Sequence, residues 1–216
     1  MGYSRAKALP AYWGDKVILG ITGGIAVGKS TAARFFQKLG AVVVSADELA
    51  REVVAPGSET LKKLGDRFGT QIIQPDGSLN RQLLGDIVFN DSEAYRFLNE
   101  TTHKEVGRLA VQKLKELSEK GLALIIYESP LLFEAGAEDR VDAVLVITTR
   151  RENQFERLLR RPGMSRAKAK AMIDSQMSQE EKAARADYVI ESNGTRAELE
   201  DKIRSLYDRL TGVKKV

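Results

Sequence analysis

The chain has 216 residues, 43% hydrophobic and 30% charged, enough for one well-cored domain, or one domain with a small inserted lobe, and too few for two full independent domains. Lys and Arg number 34 against 30 Asp and Glu, and this net charge of +4 leans toward anionic ligands without the clustering of a dedicated nucleic-acid binder, so no nucleic-acid partner is expected. With no cysteine and one histidine, His103, the composition excludes disulfides, thiolate nucleophiles, zinc fingers, iron–sulfur clusters and multi-histidine metal centres.

Residues 1–15 show no periodicity and read as a loose N-terminal arm. Val17 to Thr22 is a continuous apolar run bounded by glycines, the pattern of a strand buried on both faces. A helix from Lys29 to about Leu39 stops at Gly40, a second short strand covers Ala41 to Val44, and a helix from about Asp47 to Val54 closes at Pro56-Gly57. From 58 to 120 the pattern is helical, with one turn at Gln74-Pro75-Asp76-Gly77. Buried-strand signatures return at Leu122–Tyr127, Ala143–Ile147 and, more weakly, Tyr188–Ile190. Residues 150–186 between the last two are basic and helix-forming, and Thr195–Leu210 reads as a closing amphipathic helix. Strand–helix alternation of this kind predicts an α/β fold with a mostly parallel sheet of five strands flanked by helices. The expected organisation is a core of 16–57, 121–149 and 187–216, a helical insertion at 58–120 and a helical lid at 150–186. The longest apolar runs fall far short of the roughly 20 residues a membrane helix needs, and the first thirty residues hold no signal-peptide core. A soluble cytoplasmic protein with no membrane partner is the expectation.

Gly23-Gly-Ile-Ala-Val-Gly-Lys-Ser30 matches G-x-x-x-x-G-K-[ST] between a predicted strand and a predicted helix. In that context Gly24, Ile25, Ala26, Val27 and Gly28 wrap backbone N–H groups around phosphate oxygens, with Thr31 beside them at the helix N-terminus. Lys29 reaches the terminal phosphates, and the Ser30 hydroxyl is placed to ligate Mg²⁺. A glycine-rich turn that binds nothing has no need of Lys and Ser at those offsets. The chain is therefore expected to fold as a P-loop NTPase-type α/β protein. No Asn-Lys-x-Asp string for guanine is present.

Asp47 follows the second strand, and ligands bind at the carboxyl ends of parallel strands, so its carboxylate is a candidate base for an acceptor hydroxyl. A helix N-cap is the competing role. Between Arg150 and Lys170 eight basic residues stand against Glu152 and Glu156, six net positive charges, as a lid closing on phosphates would require; a solvated face or an RNA-binding patch is the alternative. Arg157 and Arg161, four apart, share a helix face. Glu128 ends the third strand, where a carboxylate sits near Mg²⁺ through water, or serves as an ordinary strand-end acid. His103, alone in a helical stretch, reads more readily as packing than as catalysis.

Several segments together resemble the dephospho-CoA kinase family over about residues 17–210: Ile21–Thr31, Ala46-Asp47, Val53–Gly57, Asp76-Gly-Ser-Leu-Asn-Arg81, Pro130-Leu-Leu-Phe-Glu134, Gln154-Phe-Glu-Arg157 with Arg161, and Ala186–Ile190. The phosphate loop is common to many families, whereas the Asp76 and Pro130 strings are far more specific. The resemblance implies ATP-dependent phosphorylation of the ribose 3′-hydroxyl of dephospho-CoA, the last step of coenzyme A synthesis, with Mg²⁺ and with ATP as co-substrate. It implies that Asp47 is the base, that Thr22, Arg81, His103, Pro130 and Leu131 lie on the acceptor side, and that Arg157 and Arg161 meet the phosphates. The 58–120 lobe would bind the CoA portion, in a monomer or weak homo-oligomer. Three departures are notable: Ala26 where the family usually has Gly, Glu128 where Asp is commoner, and Ser192-Asn193 where the Asn is expected one position earlier. A kinase for another nucleoside, and a nucleotide-binding regulator or RNA-binding module with little turnover, are the competing readings.

Overall fold

The computed structural model describes residues 16–89 and 91–212, so the expected arm at 1–15 lies outside the described residues. In chain order the elements are β1 Val17–Thr22, α1 Lys29–Lys38, β2 Val42–Ser45, α2 Ala46–Val53, α3 Glu59–Phe68, α4 Arg81–Phe89, α5 Ser92–Ser118, β3 Leu124–Glu128, β4 Ala143–Thr148, α6 Arg151–Leu159, α7 Arg166–Asp174, α8 Gln179–Arg185, β5 Tyr188–Glu191 and α9 Arg196–Thr211. Short 3₁₀ turns stand at Thr70–Ile72 and Glu138–Arg140.

The five strands form one sheet in the order β2-β3-β1-β4-β5. β1 pairs in parallel with β3 and β4, and β4 with β5. This is why β1, β3 and β4 are runs of apolar residues without alternation: each is covered on both faces. Two aspartates set the register at the strands' N-terminal ends, Asp142 accepting from the Ile18 N–H and Asp187 from the Val144 N–H, both at 2.8 Å. At the opposite ends the register sets Ile21 beside Glu128, Thr22 beside Val146 and Thr148 beside Glu191. β1 is central, with its neighbours reached in opposite directions along the sheet, so the segment leaving it lies at the topological switch point where such sheets bind ligands.

The chain divides into two compact units, 1–44 with 114–216, and Ser45–Lys113. The first is built on the sheet, with Phe35 and Phe36 of α1 and Leu199, Ile203, Leu206 and Leu210 of α9 packed in the same buried cluster as Leu19, Ile21, Leu145 and Ile147. The second is helical and has its own core around Leu61, Leu64, Phe68, Ile72, Leu84 and Val88, where the Phe68 and Phe97 rings meet edge to face at 5.8 Å. Its turn at residues 74–77 forms where Pro75 and Gly77 favour one: the Gln74 N–H donates to Ser78 O and the Gly77 N–H to Gln74 O, each at 2.8 Å. No described helix is long and apolar enough to cross a membrane.

Candidate active site

The segment Gly23–Ser30 connects the central strand to α1, and its backbone explains its residues. Gly23 has φ +144, and a Cβ there would run into the Ile147 carbonyl of β4, so only glycine fits between the strands. Gly28 precedes α1 at φ +103, turning the chain so that α1 begins at Lys29 with its N-terminal amides and partial positive charge at the loop. Lys29 is buried, 8% exposed, and its ammonium donates to Gly24 O at 2.8 Å, across the loop's own concavity. Ala26 is the single described non-glycine residue with positive φ, at +60. The departure seen in the sequence is thus accommodated with its Cβ in the left-handed region.

The Ser30 hydroxyl donates to Glu128 Oε1 at 2.7 Å. This joins the first turn of α1 to the end of β3, next to the central strand. A hydroxyl and one carboxylate are hard oxygen donors, and the described residues include no cluster of three or more acidic or histidine ligands. That sparse set fits Mg²⁺, which keeps waters and substrate phosphates as its other ligands.

Arg157 on α6 reaches the loop. Its guanidinium donates to Ala26 O at 3.0 Å, to Ser192 Oγ at 3.3 Å and to Ser192 O at 2.8 Å. The Ser192 hydroxyl in turn donates to Val27 O. Arg157, Gly28, Thr31, Ser192, Thr195 and Arg196 line a cavity of about 260 Å³ beside the start of α1. Arg161 lies one turn on from Arg157, past the end of α6, and is exposed. Asn193, the displaced asparagine, accepts from the Arg150 N–H at 2.7 Å and from Thr149 Oγ1 at 3.1 Å, holding the β5–α9 turn to the start of α6.

Three glutamines that the sequence reading did not single out for a role hold the loop from the same side. The Gln154 amide donates to Ile25 O at 2.8 Å, Gln176 Oε1 accepts from the Ile25 N–H at 2.8 Å, and Gln179 donates to Gln154 Oε1 at 3.0 Å while pairing with both backbone groups of Thr149. For Gln176 and Gln179 the available signal was the uncharged stretch Ser175–Gln179 inside a charge-rich segment; for Gln154 there was none beyond its place in the Gln154–Arg157 string.

Thr22, fully buried at the end of β1, donates from its hydroxyl to Pro130 O at 3.2 Å. Pro130 and Leu131 are half-buried, in the turn that follows β3. These residues, with Lys29, Ser30, Glu128 and Arg157, all fall in the sheet-bearing unit, positioned by the ends of β1 and β3, the start of α1 and, for Arg157, by α6.

Asp47, Arg81 and His103 belong to the helical unit. Asp47 is exposed and is the second residue of α2; Ser45 occupies the N-cap, so capping is not the role of Asp47. The Asp76–Arg81 string forms a turn and a cap: Asp76 Oδ1 accepts from the Ser78 N–H and hydroxyl, which holds its carboxyl below the usual carboxylate range. Asn80 Oδ1 accepts from the Leu83 N–H at 3.0 Å, starting α4 at Arg81 with its side chain exposed. His103 is exposed on α5.

Residues 17–198 match the family model described as dephospho-CoA kinase. The chain is 46% identical over 190 residues to the dephospho-CoA kinase of Geobacter sulfurreducens, covering 88% of this chain and 96% of that protein. It is 44% identical over 194 residues to that of Syntrophotalea carbinolica, covering 90% and 92%. Among solved structures it resembles dephospho-CoA kinase from Campylobacter jejuni, with a TM-score of 0.71 and 30% identity over 92% of this chain and all of that one. A Thermus thermophilus protein matches with a TM-score of 0.75 and 36% identity over 91% and 99%. Phosphate loop, strand order and the two specific strings converge with these likenesses: the chain belongs to the dephospho-CoA kinase family, a kinase transferring phosphate from ATP to dephospho-CoA in the last step of coenzyme A synthesis.

Proposed function

We propose a division of labour among the site residues for this transfer. Lys29 and the amides of Gly24–Thr31 hold the terminal phosphates of ATP, and Ser30 with Glu128 would hold Mg²⁺, which neutralises phosphate charge when bound. Asp47 takes the proton from the ribose 3′-hydroxyl as its oxygen attacks the γ-phosphorus and the bond to the β–γ bridging oxygen breaks, releasing ADP. Arg157 and Arg161, on a lid of residues 150–186, offset the charge on the transferred group. Thr22, Pro130 and Leu131 line the acceptor side, with Arg81 and His103 of the 58–120 lobe. The reading is of a cytoplasmic enzyme acting as a monomer or weak homo-oligomer on two small molecules.

The observation that carries this reading is the 2.7 Å contact between Ser30 and Glu128 beside the buried Lys29, a donor pair and a cation at the mouth of one loop. Asp47 is supported by its place in the first turn after β2, just past the carboxyl end of a strand, the end of the strands at which such sheets bind ligands. The test is ADP release with ATP and Mg²⁺ against dephospho-CoA, adenosine, AMP and no acceptor, with the product weighed by mass spectrometry. Turnover confined to dephospho-CoA and a product one phosphate heavier is expected; turnover on adenosine or AMP instead would move the acceptor assignment to another nucleoside.

A further inference from the structure

Two lysines are buried among the described residues, Lys29 of the phosphate loop and Lys182 of α8. Lys182 is fully covered, and a buried ammonium persists only with every donor satisfied. It has three acceptors: Pro130 O at 2.8 Å, Glu134 Oε1 at 2.8 Å and Glu134 Oε2 at 3.0 Å. The carboxylate alone would suffice for a structural ion pair. The third bond goes instead to the one carbonyl that also accepts from Thr22 Oγ1, at 3.2 Å.

That carbonyl has two lone pairs, and the two donors fill them from opposite sources: the last residue of the central strand and a helix of the lid segment. Pro130 has no N–H with which to join a ladder, so its carbonyl is the handle by which the Pro130-Leu131 peptide is oriented. Glu134, whose side chain is 24% exposed, also accepts from the Met177 N–H at 3.2 Å, attaching the α7–α8 connection to the same turn. On the same face of α8, Gln179 is three residues before Lys182 and grips Thr149 and Gln154. One short helix therefore carries the contact to the phosphate-loop network and the contact to the turn after β3.

We propose that Lys182 is a positioning residue for the acceptor: it fixes the Pro130-Leu131 peptide through Pro130 O, so that its removal weakens recognition of dephospho-CoA and spares recognition of ATP. This rests on the reading that Pro130 and Leu131 line the acceptor pocket.

Steady-state constants for both substrates, with melting temperatures, are measured for wild type, Lys182→Met, Glu134→Gln, the double variant and Leu131→Ala. Lys182→Met is expected to raise KM for dephospho-CoA about tenfold while KM for ATP stays within about twofold. Glu134→Gln loosens the ion pair but leaves the lysine on Pro130 O, so its acceptor KM stays within about threefold of wild type. In the double variant, where no unpaired charge is left buried, the melting temperature recovers toward wild type and the acceptor KM does not. A purely structural lysine would make the two single variants alike, raise both KM values together, or let the acceptor KM recover with the melting temperature; any of these overturns the proposal. An unchanged acceptor KM in Leu131→Ala would instead refute the placement of the acceptor pocket, whatever Lys182 does.

Discussion

Ala26 shows how a single residue is read at both levels. Its place in the loop was legible from the G-x-x-x-x-G-K-S spacing, and the departure from glycine was visible too, but its conformation required the backbone: φ +60 places a Cβ in the left-handed region. Ala26→Gly removes that strain and restores some freedom to the unfolded chain, two effects of opposite sign. The expected outcome is a variant between unchanged and about 1 kcal/mol more stable in urea titration, with activity retained, whereas Ala26→Val is destabilised. A loss of stability in Ala26→Gly would mean that the alanine methyl is held by packing that outweighs its strain. Lys29, Ser30 and Glu128 were legible because motif spacing and strand ends carry them. Gln176, Gln179 and Lys182 were not, because a hydrogen-bonded glutamine or a buried lysine in a basic, helical segment looks from sequence like any solvated neighbour.

At the scale of elements, the strands were foreseen to within a few residues because burial on both faces leaves continuous apolar runs. The third was expected from Leu122 and starts at Leu124, since the turn at residues 119–121 and a bend at Ala123 lead into it. The internal structure of residues 150–186 was less legible: one basic stretch resolves into α6, α7 and α8, separated at Pro162-Gly163 and at Ser175–Ser178. α8 has seven residues and is held by a capping box in which the Ser178 hydroxyl accepts from the Glu181 N–H while the Glu181 carboxylate accepts from the Ser178 N–H and hydroxyl. Ser178→Ala is expected to speed amide exchange in α8 by about fivefold, as loss of a cap does. The same hydrogen bonds from Ser178 hold the Glu181 carboxyl below the usual range. A depressed folded value means that the contribution is present above the unfolded value of about 4.3 and is lost as pH falls through the folded one. α8 should therefore loosen on acidification below about pH 4, and this acid step should be smaller in Glu181→Gln. An identical acid response in both proteins would locate the titration elsewhere.

For the molecule as a whole, composition and alternation were sufficient for an α/β sheet protein with a helical insertion. They could not supply the strand order β2-β3-β1-β4-β5, because pairing between distant segments leaves no local mark. Nor could they place the limits of the helical unit at Ser45 and Lys113: the upper limit falls inside α5, a single helix of 27 residues whose sequence runs on unbroken. Lys29, Ser30, Glu128 and the turn at Pro130 belong to the sheet-bearing unit, and Asp47 belongs to the helical one. In the proposed mechanism the first holds ATP and Asp47 removes the proton, so the two tasks are separable. The most direct test is Asp47→Asn, assayed for dephospho-CoA phosphorylation and for ATP binding by calorimetry. Turnover is expected to fall by about 10² to 10⁴ while the ATP Kd stays within about twofold of wild type. Turnover near wild type, or ATP binding lost together with turnover, would contradict it.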